Sequence, residues 1–422
     1  MSNIRTAGII AEYNPFHNGH EYHINETRKS GATHIVAVMS GNFVQRGEAS
    51  VYDKFSRAEA ALKCGADLVA ELPAPWAMST AETFAYGGVY ILNAMGCVDT
   101  LNFGCECGDI KLLKKAAEAV MSREADGLTA SLLQGGATYA SCRQKAVKTL
   151  FGEEISGVLG SPNNILAVEY LKALKRLDSL IAPYPVLRRG AAHDGEISGG
   201  GIQSASYLRQ LILSGNSEQA GKYMPDGAKN LLEKPIADIK RLERHVLAVL
   251  RTAEPADLLE FPDVSEGLEF RIIRAAADAG SLEELYEKIK TKRYTMSRIR
   301  RVVLSAALGL AKGLTAEPPP YIRVLGMNGG GRELLNVMKS TAAIPVITRY
   351  SQLKSLDTRA QNVFKSENRA CDIFGLAADP VLPAGLNMEN RFYFMQDTDE
   401  FVQTLAGNGS KPLRNQQHGG MV

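Results

Sequence analysis

Two imidazoles three residues apart carry the strongest chemical signal in the chain. They are His17 and His20, in the run EYNPFHNGHEYH at residues 12–23. The apolar stretch 6–11 before them reads as a strand. A polar loop with Pro15 follows, and His17-Asn18-Gly19-His20 opens a helix. A helix start gathers unpaired N–H groups and the positive end of the helix dipole, which together attract phosphate. Gly19 removes a side chain where a nucleotide must approach the backbone closely. Residues three apart share a helical face, so both rings can donate hydrogen bonds to charge developing on a transferring phosphoryl group. The same pair could be a core pair or half of a metal site. Zinc needs further ligands, and the nearest candidates, Cys105 and Cys107, have the wrong spacing, so no metal site is assigned.

Such a motif needs a sheet to hold it. Across residues 1–214, strand-like runs at 6–11, 34–39, 66–71, 98–103 and 180–187 alternate with amphipathic stretches at 21–29, 54–63, 81–94 and 110–121. That alternation predicts an α/β fold, a doubly wound parallel sheet of βαβ units. Ligands in such sheets bind beyond the carboxyl ends of the strands, so motifs lying just after strands share one candidate site. Residues 215–313 read as helices, at 233–251, 266–279 and 281–290, and strand-like runs return at 321–327 and 343–348. The expected organisation is an α/β domain at 1–215 that carries the paired histidines, then a mostly helical, basic region at 216–422 with short strands near 321–348.

Composition narrows the class. The 422 residues are 45% hydrophobic and 22% charged, with a mean hydropathy of −0.12, a globular profile. No run of eighteen apolar residues occurs, so no membrane partner is expected. The first apolar run, 9–11, is too short for a signal peptide, and six cysteines in this length do not form a disulfide scaffold; a reduced, cytoplasmic protein is expected. Neither a G-x-S-x-G elbow nor a GxxxxGK[ST] loop is present, and Cys64, Cys97, Cys142 and Cys371 have no paired histidine nearby in sequence. The net charge of +2 says nothing about polyanions, but its distribution does. Lys288, Lys290, Lys292, Arg293, Arg298, Arg300 and Arg301 crowd into residues 288–301 without one acidic residue. Such a run is either a solvated helix face or a phosphate-contacting patch.

HNGH after a first strand resembles the HxGH signature of the nucleotidyltransferase superfamily, which holds class I aminoacyl-tRNA synthetases and small adenylyltransferases. The wider set is more specific. EYNPFHNGH, MSGNFVQRGE (39–48), ADLVAELP (66–73), NFGCECGD (102–109) and SPNNILAVEYL (161–171) together resemble the tRNA(Met) cytidine acetate ligase family, over most of residues 4–214 and more weakly through the basic helices. The resemblance implies an enzyme that activates acetate with ATP and Mg²⁺ as acetyl-adenylate. It then acetylates the exocyclic amine of the wobble cytidine of elongator tRNA(Met), with no DNA partner. It also implies nucleotide contacts from Ile10, Ala11, Glu12, Tyr13, Asn14, Pro15, Phe16, His17, Asn18, Gly19 and His20.

Further motifs fit that reading, each with a plainer one beside it. Ser204 and Ser206 open a helix after the glycines at 199–201 and lead to Arg209. In the superfamily this motif grips the β- and γ-phosphates; otherwise it is an N-cap with a surface arginine. Leu208 stands where isoleucine is usual. Gly104 at the end of strand 4 admits the adenosine or simply turns the chain. Asn163, after Pro162, contacts ribose or base, or caps its helix. One of Arg188 and Arg189 contacts the nucleotide. Ser40, Gly41, Asn42, Gln45 and Arg46 form a loop facing the acyl group or RNA, or one that merely packs. The basic run 288–301 then holds tRNA. Two other functions stay open on sequence: a small-molecule adenylyltransferase, and a non-catalytic RNA-binding module.

Overall fold

Residues 6–11 and 34–40 are apolar on both faces, as parallel strands covered by helices on either side must be. The computed structural model describes residues 5–188, 201–389, 392–395 and 401–403. In it these runs form β1 (Thr6–Ala11) and β2 (His34–Ser40), paired in parallel from Thr6↔His34 to Ala11↔Met39. A small hairpin, β3 (Phe43–Val44) and β4 (Glu48–Ala49), follows β2. β5 (Leu68–Leu72) pairs in parallel with β2, whereas β6 (Thr100–Cys105) lies on the other side of β1 with β7 (Ala182–Leu187) beyond it. The parallel order is β5-β2-β1-β6-β7. The chain reverses direction across the sheet between β1 and β6, and that switch point opens a crevice at the strands' carboxyl ends.

The helices that matter for the crevice are α1 (Asn18–Lys29) after β1, α2 (Lys54–Lys63) after the hairpin, and α3 (Ala81–Ala94) between β5 and β6. α4 (Pro162–Arg176) leads into β7 and α5 (Ala205–Leu213) follows it. Further along run α6 (Met296–Leu308) and α7 (Thr358–Ala377). The doubly wound fold read from the sequence is therefore the observed one, with strand ends shifted by one or two residues. No helix among the described residues is long and apolar enough to cross a membrane.

The strand-like run near 321 does not stay among helices. It forms β8 (Ile322–Met327), which joins the same sheet antiparallel to β5, Leu68 facing Met327. β9 (Val346–Ile347) and β10 (Tyr393–Met395) pair in parallel with β8, and β11 (Phe401–Gln403) closes that edge antiparallel to β10. Apolar alternation alone cannot fix strand direction, so sequence had no means of placing β8 beside β5.

A buried ionic cluster fastens the returning chain to this sheet. Lys54 Nζ donates to Glu71 Oε1 and, at 2.9 Å, to Glu367 Oε1, with all three side chains at most 1% exposed. Arg323 Nη1 reaches Glu71 Oε2 at 3.3 Å and Asn387 Oδ1 at 2.6 Å. Glu367 Oε2 also accepts from Ala74 N at 2.6 Å. Two cations balance two anions, which is what lets them sit out of water.

Candidate active site

His17 is an unusual N-cap, since Ser, Thr, Asp and Asn are the residues that cap well. It is extended (φ −146°, ψ 171°), and its Nδ1 accepts from Gly19 N at 3.0 Å. His20 Nδ1 accepts in return from His17 N at 3.2 Å, completing a reciprocal box at the helix start. Each Nδ1 is an acceptor, so each ring carries its proton on Nε2. The rings lie 3.9 Å apart, centroid to centroid, and His20 is wedged by Tyr13 at 5.0 Å and Phe16 at 5.4 Å. Burial lowers the His17 pKa to about 3, helped by the Arg188 and Arg209 charges. Burial also depresses His20, with His17, Arg188 and His23 adding to it. Two neutral imidazoles thus present fixed N–H donors that need no reorganisation as negative charge develops.

Gly19 has a reason different from the one expected. A Cβ there would lie 2.7 Å from His17 Cε1, so the glycine makes room first for the His17 ring itself. Arg209 sits close by, half-buried. Its Nη1 donates to Asn14 O at 3.0 Å, and its Nη2 lies 3.5 Å from Glu48 Oε2. Ser204 Oγ caps α5 through Tyr207 N at 3.2 Å and meets Ser206 Oγ at 3.0 Å. Asn18 Nδ2 ties the two motifs together by donating to Gly201 O at 3.0 Å. Arg188 is exposed at the end of β7, and its charge reaches His17, His20 and His23. Arg189 lies outside the described residues. Gly104 faces Arg188, where a Cβ would make an ordinary 3.4 Å contact with Cγ. Ile10 and Ala11 end β1 half-buried, while Tyr13, Asn14, Pro15 and Phe16 are buried beneath the crevice.

Other expectations need correcting. Asn163 Nδ2 is held by Glu106 Oε1 at 2.6 Å, and Glu106 Oε2 accepts from Asn164 N at 2.8 Å. A carboxylate already caps α4, so Asn163 offers a ligand its Oδ1. The Ser40-Gly41-Asn42 segment is fully buried. Asn42 Oδ1 accepts from Lys54 N at 2.8 Å, and its Nδ2 donates to Cys371 Sγ at 3.4 Å. Gln45 Nε2 is committed to Ser79 O at 3.0 Å, which leaves Arg46 as the one exposed side chain of this loop set. In the basic run, three arginines turn inward. Arg298 donates to Asp263 O, at 3.1 Å from Nε and 2.9 Å from Nη2; Arg301 pairs with Asp263 Oδ2 at 2.9 Å, and Arg300 pairs with Glu48. Lys288, Lys290, Lys292 and Arg293 remain exposed, Lys288 and Lys290 within reach of glutamates on their own helix.

One residue went unnoticed in sequence. Arg57, fully buried in α2, donates to the carbonyls of Glu12, Ser40, Gly41 and Tyr52. It thereby stitches the ends of β1 and β2 together. Burial lowers even its pKa, to about 10, against the pull of Asp53 and Glu12. Glu12 accepts from Gln45 N at 2.9 Å, and burial raises its pKa. Only the arginine's place beside Ala58 and Ala61 on the buried side of α2 could have flagged it.

A family model described as HIGH Nucleotidyl Transferase matches residues 4–385. A tRNA(Met) cytidine acetate ligase of Thermoanaerobacter sp. (strain X514) is 40% identical over 392 residues, covering 90% of this chain and 97% of that one. The chain belongs to the tRNA(Met) cytidine acetate ligase family. The ligase of that name from Caldanaerobacter subterraneus subsp. tengcongensis is 40% identical over 88% of this family member and 94% of its own length. Among solved structures, Thermotoga maritima TmcAL bound with alpha-thio ATP superposes with a TM-score of 0.86. It is 30% identical and covers 93% of this ligase-family chain and 100% of its own. The family model spans the segment that carries His17 and His20.

Proposed function

We propose that this chain is an ATP-dependent ligase that forms acetyl-adenylate from acetate and ATP, then transfers the acetyl group to the N4 amine of the wobble cytidine of tRNA(Met). The observation that carries this reading is the pair of neutral imidazoles at the start of α1, His17 buried and His20 half-buried, flanked by Arg209 and Arg188. An acetate oxygen attacks the α-phosphorus in line while the His17 and His20 Nε2–H groups take up charge on its oxygens. Arg209 holds the β- and γ-phosphates, and pyrophosphate leaves. The cytidine amine then attacks the acyl carbon, its proton is lost, and the carbon–oxygen bond to AMP breaks. No enzyme nucleophile is needed, so positioning does most of the work. Mg²⁺ bound with the nucleotide would supply charge neutralisation on the phosphates. Among the described residues no group of three or more His, Cys, Asp or Glu side chains is placed to hold a metal ion. The test is incubation with labelled acetate, ATP, Mg²⁺ and tRNA(Met). Label on the wobble cytidine supports the reading, and ATP turnover without acetylated tRNA overturns it.

Two consequences are measurable. Arg209→Ala should weaken ATP binding by about 10–100-fold, the worth of charged hydrogen bonds, and AMP binding far less. Calorimetry with both nucleotides decides; equal losses would remove Arg209 from the β- and γ-phosphates. For tRNA, the exposed members of the basic run are the first to meet phosphate. Reversing Lys292 and Arg293 to Glu should raise the KM for tRNA at least roughly tenfold at moderate salt, since each lost contact forgoes counterion release. Acetyl-AMP synthesis without tRNA should be unchanged. An unaltered KM would move the tRNA footprint elsewhere, to the loop around Arg46.

A further inference from the structure

Glu48 occupies a place none of the roles above uses. It lies on β4, its side chain 25% exposed, between two arginines from opposite ends of the site. Glu48 Oε2 is 3.5 Å from Arg209 Nη2, and Glu48 Oε1 accepts from Arg300 Nη1. The hairpin that carries it cannot drift. Gly47 has φ +73°, and a Cβ there would fall 2.6 Å from Arg301 N and 2.8 Å from Arg300 C, so its backbone lies directly on α6. On the other side, Gln45 N is fixed to Glu12 Oε1 at 2.9 Å. One carboxylate on a rigid hairpin therefore divides its charge between an arginine assigned to the triphosphate and one in the basic run.

We infer that Glu48 is a positioning residue shared by the nucleotide and tRNA sites, exchanging Arg209 and Arg300 so that the two polyanions are taken in sequence. This rests on the reading given under Proposed function. When a triphosphate engages the Arg209 fork, Glu48 loses one partner, is repelled by the incoming phosphates and pairs fully with Arg300. Arg300 is then withheld from RNA phosphate. When pyrophosphate leaves, Arg209 takes back its share of Glu48, the arrangement described above, and Glu48 holds Arg300 less tightly. Coupling of this kind is reciprocal, so bound tRNA must weaken triphosphate binding by the same factor. The chemical consequence is order: the tRNA phosphate contact tightens after the adenylate has formed.

The experiment measures the affinity of a tRNA(Met) transcript with α,β-methylene-ATP and Mg²⁺ present, and again with AMP. Wild type should bind tRNA about two- to fivefold more weakly beside the triphosphate, the worth of one partly exposed ion pair. In Glu48→Gln that ratio should fall to one, and Arg300→Gln should abolish it too, whereas Lys292→Gln should keep it. Arg300→Gln carries the test if Glu48→Gln fails to fold, which circular dichroism reports. A wild-type ratio of one, or an undiminished ratio in the folded Glu48 and Arg300 variants, overturns the inference. The second result would assign the coupling to general repulsion between two polyanions. Wild type that binds the nucleotides but no tRNA at all would overturn the proposed function itself.

Discussion

Replacing His20 by Ala should lower acetate-dependent pyrophosphate release by about 10²–10³-fold, the cost of removing one preorganised donor, while ATP still binds. In the proposed mechanism the imidazole acts on charge that appears in the transition state, so its loss falls on turnover more than on affinity. His17 needs a more careful substitution, because its ring also caps α1 through Gly19 N. His17→Ala removes cap and donor together, and the cap alone is worth about 1 kcal/mol of stability. His17→Asn keeps a good capping oxygen and deletes the Nε2–H. A rate loss of similar size in His17→Asn, with an unchanged melting temperature, would isolate the chemical role. Near-normal pyrophosphate release from either variant would remove the pair from the reaction.

Lys54→Met should cost about 3–5 kcal/mol of folding stability, although it lies in no ligand site. Breaking a buried ionic group by deleting one member leaves an uncompensated charge. With Lys54 gone, Glu71 and Glu367 would share Arg323 alone. The sign of the pH effect follows from Glu71, whose pKa burial and the neighbouring Glu367 raise to about 7. A carboxyl with a raised folded-state pKa gives stability at acid pH that is lost as pH rises toward that value. Glu367 runs the other way: burial would raise its pKa, but Lys54 holds it below the ordinary carboxylate value. Removing Lys54 leaves the surplus charge free to take up a proton. The deficit of the variant against wild type should therefore be largest above pH 7 and shrink toward pH 5. Urea denaturation at both values checks this; a deficit independent of pH, or below about 1 kcal/mol, would mean the cluster contributes little.

The sequence showed what is local and little of what is distant. β1, the helix start at His17 and the alternation of strands with helices can all be read because each lies within a short window of residues. α2 and α3 match their expected bounds, residues 54–63 and 81–94, since an amphipathic helix records its buried face in its own periodicity. The partners of the charged residues cannot be read that way. Glu367 and Lys54 are 313 positions apart, Arg300 and Glu48 are 252 apart, and nothing between them records the pairing. The basic run looked uniform for the same reason. Arg298, Arg300 and Arg301 fall on α6, where periodicity marks a buried face but cannot reveal that Asp263 and Glu48 await them. Asn163 is legible as a polar group at a helix start, whereas the carboxylate that fixes its amide comes from Glu106, just after β6 and 57 positions away.

The central claim is that an acetate oxygen attacks the α-phosphorus of ATP in the crevice between β1 and β6. Transfer of oxygen isotope tests it most directly. With acetate labelled at both oxygens by ¹⁸O, ATP, Mg²⁺ and tRNA(Met), the product AMP should carry one ¹⁸O in its phosphate for each acetyl group transferred, because the bond broken last is between carbon and oxygen. Acetylated tRNA accompanied by unlabelled AMP, or by ADP and labelled inorganic phosphate, would contradict the account.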